Sequence, residues 1–163
     1  MRRSEREIIN PEELQQILTQ GRIMTMAMID QGVPYLVTMN YGFEVMDGTY
    51  YFYLHCAKEG RKITALKEKN QVSFTIVTEA EVDGKDIPCT YTTYYKSIVG
   101  MGTVDFLEES SAKVHGLDLI MKQIGYTKEY SYHEKMLDSV LLLKITVEEL
   151  TGKAQKRKKE ELK

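Results

Sequence analysis

Tyr50-Tyr51-Phe52-Tyr53-Leu54-His55-Cys56-Ala57-Lys58-Glu59-Gly60-Arg61-Lys62-Ile63 runs from a hydrophobic strand into a short helix, and that junction sets the reading of the whole chain. Ile63 and Leu66 give the helix its apolar stripe, while Lys67, Lys69 and Asn70 supply the cations and the polar stop that suit a helix C-terminus. Arg61 and Lys62 stand at the other end. Cations there face the positive pole of the helix dipole, at a cost of roughly 0.3–1 kcal/mol each unless an anion lies between them. A phosphate would remove the conflict. The N–H groups of the first turn, close backbone approach at Gly60 and the charges of Lys58, Arg61 and Lys62 make a cradle for it. A solvated basic turn fits the same residues, and the stretch alone does not separate the two readings.

Upstream, Asn10-Pro11-Glu12-Glu13 opens a helix, with Asn10 as N-cap, Pro11 at the first helical position and Glu13 in capping-box position. Leu14, Ile17 and Leu18 form its buried stripe, and Gly21 closes it. Residues 22–29 are β-rich, and Asp30-Gln31-Gly32 turns the chain. Residues 34–43 then alternate Tyr35, Val37, Met39, Tyr41 and Phe43 against a less apolar face, as one strand. After a turn at Met46-Asp47-Gly48, residues 49–56 form the third strand of an antiparallel meander.

Downstream, residues 71–78 alternate as a fourth strand, and residues 79–88 read as a polar loop turning at Asp83-Gly84. Residues 92–106 form a long strand in which Gly100 and Gly102 mark a bend or bulge. Val114, Leu117, Ile120, Met121 and Ile124 stripe a helix over residues 108–124, ended by Gly125. A loop rich in tyrosine (Tyr126, Tyr130, Tyr132) leads to a buried strand over residues 139–147. Six strands, mostly joined as hairpins with few helices to cover them, predict a mainly β (α+β) fold. A closed or partly closed antiparallel barrel with flanking helices fits better than a doubly wound sheet. Gly100-Met101-Gly102 has no third glycine and opens no helix, so it is no dinucleotide fingerprint.

A chain of 163 residues suits one domain, taken as residues 1–150, with 151–163 as a basic tail that includes Lys156-Arg157-Lys158-Lys159. The net charge of −2, with both signs interspersed, predicts no nucleic-acid surface. No apolar stretch approaches the roughly 20 residues of a membrane span, and the N-terminus lacks the core of a signal peptide. The expectation is a cytoplasmic protein with no membrane partner. Cys56 and Cys89 read as reduced thiols, and no His, Cys or carboxylate spacing points to a metal.

Four stretches and a closing motif resemble the nitroimidazole reductase group of the pyridoxamine 5′-phosphate oxidase-like, FMN-binding split barrels. The residues after Arg2 resemble the lead-in to that group's first helix. Pro34-Tyr35-Leu36-Val37-Thr38-Met39-Asn40-Tyr41-Gly42 is similar to its Pro-Tyr-(apolar)₂-Pro-Leu-Asn-(aromatic)-Gly strand, with Thr38 in place of the usual proline. His55-Cys56-Ala57-Lys58-Glu59-Gly60-Arg61-Lys62 resembles its His-small-Ala-x-x-Gly-basic-Lys stretch. Tyr95-Lys96-Ser97-Ile98, followed by Gly102, is similar to another of its strands, and Leu150-Thr151-Gly152-Lys153 to its ending.

The resemblance implies a six-stranded antiparallel split β-barrel that binds FMN at the interface of a homodimer. It places the flavin ring edge against the backbone of Thr38, Met39, Asn40 and Tyr41, and the phosphate at Gly60, Arg61 and Lys62. His55, Cys56 and Ala57 pass beside the ribityl chain and ring, and Ser97 adds a contact. An isoalloxazine ring needs an apolar cleft, edge hydrogen bonds and an anion site, which these stretches offer together. An ordinary sheet strand remains the rival reading of residues 38–41.

His55 is the one candidate catalytic residue, as proton donor; it could equally hydrogen-bond the cofactor, hold an anionic co-substrate or serve as a structural pin. Alternation puts Cys56 on the opposite strand face, which makes it a buried spectator rather than half of a Cys-His pair. Tyr91, Tyr94 and Tyr95 could stack on a flavin or fill an interface between subunits, and the interface suits most of the cluster better. The implied activity is that of an FMN-dependent oxidoreductase, reducing a small oxidised substrate, with nitroaromatics among the candidates, by means of an unidentified electron donor. The alternative is a non-catalytic flavin or tetrapyrrole binder. A true pyridoxamine phosphate oxidase fits less well, because the chain has no tryptophan and lacks that enzyme's C-terminal substrate motif.

Overall fold

One antiparallel sheet of eight strands carries the fold in a computed structural model that describes residues 3–84 and 86–156. After a 3₁₀ turn, β1 (Glu7–Ile8) leads into α1 (Pro11–Gln20), whose N-cap Asn10 accepts a hydrogen bond from the Glu13 amide at 3.0 Å. Such a cap contributes about 1 kcal/mol. β2 (Ile23–Asp30) and β3 (Val33–Asn40) form a hairpin through Gln31 and Gly32, both at positive φ as a tight two-residue turn requires. β4 (Gly42–Met46) and β5 (Thr49–Ala57) form a second, turning in the same way at Asp47 and Gly48. Next come α2 (Arg61–Glu68), β6 (Gln71–Asp83), β7 (Thr92–Leu107), α3 (Ser110–Gln123), α4 (Glu134–Ser139) and β8 (Val140–Gln155).

The strand order is β3-β2-β6-β7-β8-β5-β4, with β1 beside β8. β3 and β4 are neighbours in sequence yet lie at opposite edges, so residues 34–43 are two strands and not the single one expected. The sheet curls until its edges meet around Tyr41, with no ladder joining them: a barrel split along one seam. Tyr41 explains the break. Its ring is fully buried and its hydroxyl donates to Leu18 O, the end of α1, at 2.6 Å. Gly42 then runs hard against the α3 backbone at Leu119 and Ile120, where no larger residue fits.

The barrel interior is filled by inward residues such as Met24, Met26, Phe52, Leu54, Phe74 and Ile98, and α1 adds Ile17 and Leu18. Full burial of side chains of this size contributes roughly 1.5–3 kcal/mol each. Tyr53 and Leu142, on the opposite face of β5 and β8, pack with Ile120 beneath α3.

Several expectations shift. β6 continues through the expected loop as far as Asp83, with an irregularity between Thr78 and Glu81, because β7 offers it a partner over its whole length. β8 extends past residue 150, and Thr151–Gln155 pairs with Val99–Tyr95 of β7, so these residues belong to the barrel and not to a tail. From residue 157 the basic run lies outside the described residues. The tyrosine-rich loop is followed by α4, which was not expected. α3 is rotated from its apolar stripe: Lys113, Gly116, Ile120 and Gln123 are its buried residues. The buried polar pair has partners, since Lys113 Nζ donates to Leu137 O at 2.9 Å and Gln123 Nε2 to Leu18 O at 2.7 Å. The bulge expected near Gly100 and Gly102 is present, with the β7–β8 register shifting between Met101 and Gly102. Among the described residues, no helix is long and apolar enough to cross a membrane.

Candidate functional site

The end of β5, the first turn of α2 and the inward face of β3 converge. Gly60 is the N-cap of α2 with φ +125°, a conformation that favours glycine, and no atom crowds the space where a side chain would stand. The Gly60 carbonyl accepts from the amides of Ile63 and Thr64, closing the first turn. The amides of Arg61 and Lys62 precede any intrahelical acceptor and point out of the helix mouth. No acidic residue occupies this turn.

The two cations lean toward β3. Arg61 Nε donates to Asp30 Oδ2 at 2.6 Å, and its guanidinium carbon stands 4.3 Å from the centre of the Tyr35 ring. Lys62 Nζ lies 3.3 Å from Met39 Sδ. Cys56 packs against the barrel core, and burial pushes its thiol up against the opposing pull of Lys62. A thiol in that state stays protonated near neutrality. His55 is exposed on the opposite face of β5, paired across the ladder with Leu142, and Ala57 is paired with Val140.

β3 pairs only with β2, so half of its backbone N–H and C=O groups face away from the sheet and are free to bind. Thr38 and Asn40 are exposed on its outer face, with Asn40 Nδ2 donating to Arg22 O at 2.9 Å. Met39 points inward, and Tyr41, fixed in the core, offers a ligand only its backbone. Within one chain, Met39, Cys56, Arg61 and Lys62 therefore come together. Ser97 does not join them: it lies on β7 opposite Val77 and Lys153, with β2 and β6 between its strand and β3.

Sequence reasoning missed two polar groupings. Asp30 and Tyr35 form one, holding Arg61 from a separate hairpin, and no local spacing announces an ion pair across thirty residues. The other is Glu44, Tyr53 and His115. Glu44 Oε1 accepts from the Tyr53 hydroxyl at 2.6 Å and lies 3.0 Å from His115 Nε2, tying α3 to β4 and β5. Burial alone would raise the Glu44 carboxyl, but these two partners outweigh it and hold the group below the usual carboxylate range. Burial and then the neighbouring Glu44 push the Tyr53 phenol well up.

A family model for pyridoxamine 5′-phosphate oxidase matches residues 10–154, which includes every element from α1 through most of β8. The chain belongs to the pyridoxamine 5′-phosphate oxidase family. Its structure is similar to that of a candidate 5-nitroimidazole antibiotic resistance protein from Bacteroides thetaiotaomicron, at 31% identity and a TM-score of 0.79, covering 91% of this chain and 86% of that one. It also resembles an FAD and haem binding protein from Mycobacterium smegmatis, at 18% identity and a TM-score of 0.80, over 93% of this chain and 74% of the other. A flavocytochrome from Azotobacter vinelandii aligns at 15% identity and a TM-score of 0.78, over 98% and 76%. At such identities the last two speak for the split-barrel fold alone. No match is found among curated proteins. The mouth of α2 in this member of the pyridoxamine 5′-phosphate oxidase family carries the Asp30–Arg61–Tyr35 arrangement.

Proposed function

We propose that this chain is a homodimeric, FMN-binding oxidoreductase that reduces a small oxidised substrate of the nitroaromatic kind. The observation that carries it is the first turn of α2, two cations and an open glycine, set beside the free edge of β3 in a chain 31% identical to a nitroimidazole resistance protein. The residues fit the cofactor. Gly60, Arg61 and Lys62 would take its phosphate, the β3 edge at residues 38–41 would hydrogen-bond its ring, and Cys56 and Ala57 would pass beside it. Bound FMN would supply the electron-transfer chemistry through its ring. His55, exposed at the end of β5, is the proton donor in this account.

A second copy of the chain completes the proposal. Thr38 stands opposite Thr25, Thr25 opposite Thr75 and Thr75 opposite Val99, one continuous outer row across four strands. The next row runs through Leu36, Ala27, Ser73 and Met101. Leu36, Val77, Val99 and Met101 are exposed on this face, more apolar surface than a lone sheet face usually presents to water. Thr38, Asn40 and Ser97 share it, so a partner seated there would cover the ring-edge residues and bring Ser97 into the interface.

Anaerobic stopped-flow with added FMN tests the activity. NAD(P)H or another donor is expected to bleach the flavin absorbance, and a nitroaromatic or quinone to restore it. A flavin that binds but is never reduced, or is never reoxidised by such acceptors, would leave this protein a flavin or tetrapyrrole binder.

A further inference from the structure

Arg61 offers the α2 mouth less charge than its sequence position suggests. Its partner Asp30 is an inward residue at the end of β2, with 11% of its side chain exposed against 61% for Arg61. Asp30 takes the Nε hydrogen and Tyr35 lies beneath the guanidinium plane. The two Nη groups are left without acceptors among the described residues. An arginine held by Nε and stacked on a ring has lost most of its freedom before any ligand arrives, and its remaining fork is the part suited to two phosphate oxygens. The same carboxylate cancels one positive charge at the mouth. Arg61 and Lys62 thus meet a phosphate monoester with one net positive charge once Asp30 is counted with them.

We propose that Asp30 is a positioning residue that sets the charge of the phosphate anchor: it aims the Arg61 fork and, by neutralising it, keeps flavin phosphate affinity below what the bare cations would give. The proposal rests on the flavin-phosphate reading above. It follows that the carboxylate repels the bound phosphate across the guanidinium. In Asp30→Asn the amide oxygen can still accept from Arg61 Nε, so the aim is kept while the repulsion disappears.

Fluorescence-quench titrations with FMN and with riboflavin, which lacks the phosphate, separate these contributions. Asp30→Asn is expected to bind FMN about three- to tenfold more tightly than the unaltered protein, the scale of one charge acting at partly solvated range, with riboflavin affinity unchanged. Arg61→Gln should then weaken FMN binding more in the Asp30→Asn background than alone, because only there is the arginine charge uncancelled. Asp30→Ser, smaller but still polar, carries the same expectation for FMN if the asparagine variant does not fold. A folded variant whose FMN affinity is unchanged or lower, with riboflavin unaffected, overturns the proposal and makes Asp30 a structural partner only. Equal affinity of the unaltered protein for FMN and riboflavin overturns the phosphate site itself, and the role of Asp30 with it.

Discussion

Arg61 and Lys62 give the sharpest residue-scale prediction. Removing both, as Arg61→Ala with Lys62→Ala, takes away two charge-assisted contacts of roughly 1.5–3 kcal/mol each. FMN affinity should therefore fall by several kcal/mol in isothermal titration, and the thermal midpoint should fall too, because Arg61→Ala leaves the mostly buried Asp30 carboxylate without its partner; undiminished affinity in the folded double variant would remove the cradle. Cys56 makes a contrary prediction. With its thiol pushed up by burial, Cys56→Ser should retain substrate reduction, and iodoacetamide should label the native thiol slowly at neutral pH. Rapid labelling with loss of turnover would make it a participant. The opposite facing of His55 and Cys56 was readable from the sequence, because strand alternation is a local rule. Asp30 was not, because its partner arrives from another part of the chain and its own neighbourhood reads as a turn.

At the scale of elements, the seam at Tyr41 was hidden by its own pattern. Alternation passes through residues 35–43 without a break, and only the burial of Tyr41 and the approach of α3 to Gly42 show that the chain changes edges there. Gly42→Ala should accordingly cost about 1–3 kcal/mol in chemical denaturation, the range for overpacking against backbone that cannot retreat; an unchanged midpoint would mean that α3 docks loosely. The α1 cap, the hairpin turns and the β7 bulge were all readable, because each is written in a few adjacent residues. The phase of α3 was not, since buried Lys113 and Gln123 depend on acceptors supplied by α4 and α1.

The titratable groups of these elements also give a pH profile. Burial raises Tyr41, Tyr53 and Cys56 in the folded state, so their contribution is complete below their unfolded values and is lost as pH rises past about 9. Glu44 is lowered, so its contribution is present above the ordinary carboxylate range and fades below about pH 4. Thermal melts across pH should fall at both ends, and Glu44→Gln should flatten the acid limb; an acid limb unchanged by that substitution would detach the Glu44 cluster from stability.

For the whole molecule, the split barrel leaves Leu36, Val77, Val99 and Met101 exposed on one outer face across β3, β2, β6 and β7, and the account needs a second subunit there. Analytical ultracentrifugation should find a dimer, and Val99→Lys, a charge set in the middle of that face, should give a monomer with weakened FMN binding. A folded monomer that binds FMN as well as the unaltered protein would separate the cofactor from the interface. The barrel class was readable because hairpin-linked strands with few helices have few ways to close. The fate of the outer face was not, since exposed alternating residues look alike whether water or a second copy covers them.

The central claim is that the α2 mouth and the β3 edge hold FMN, and the visible spectrum of natively purified protein, with chromatography of the released cofactor, tests it most directly. The account predicts a flavin band at roughly 450 nm and FMN as the molecule released. Colourless protein that also fails to quench added FMN would contradict it.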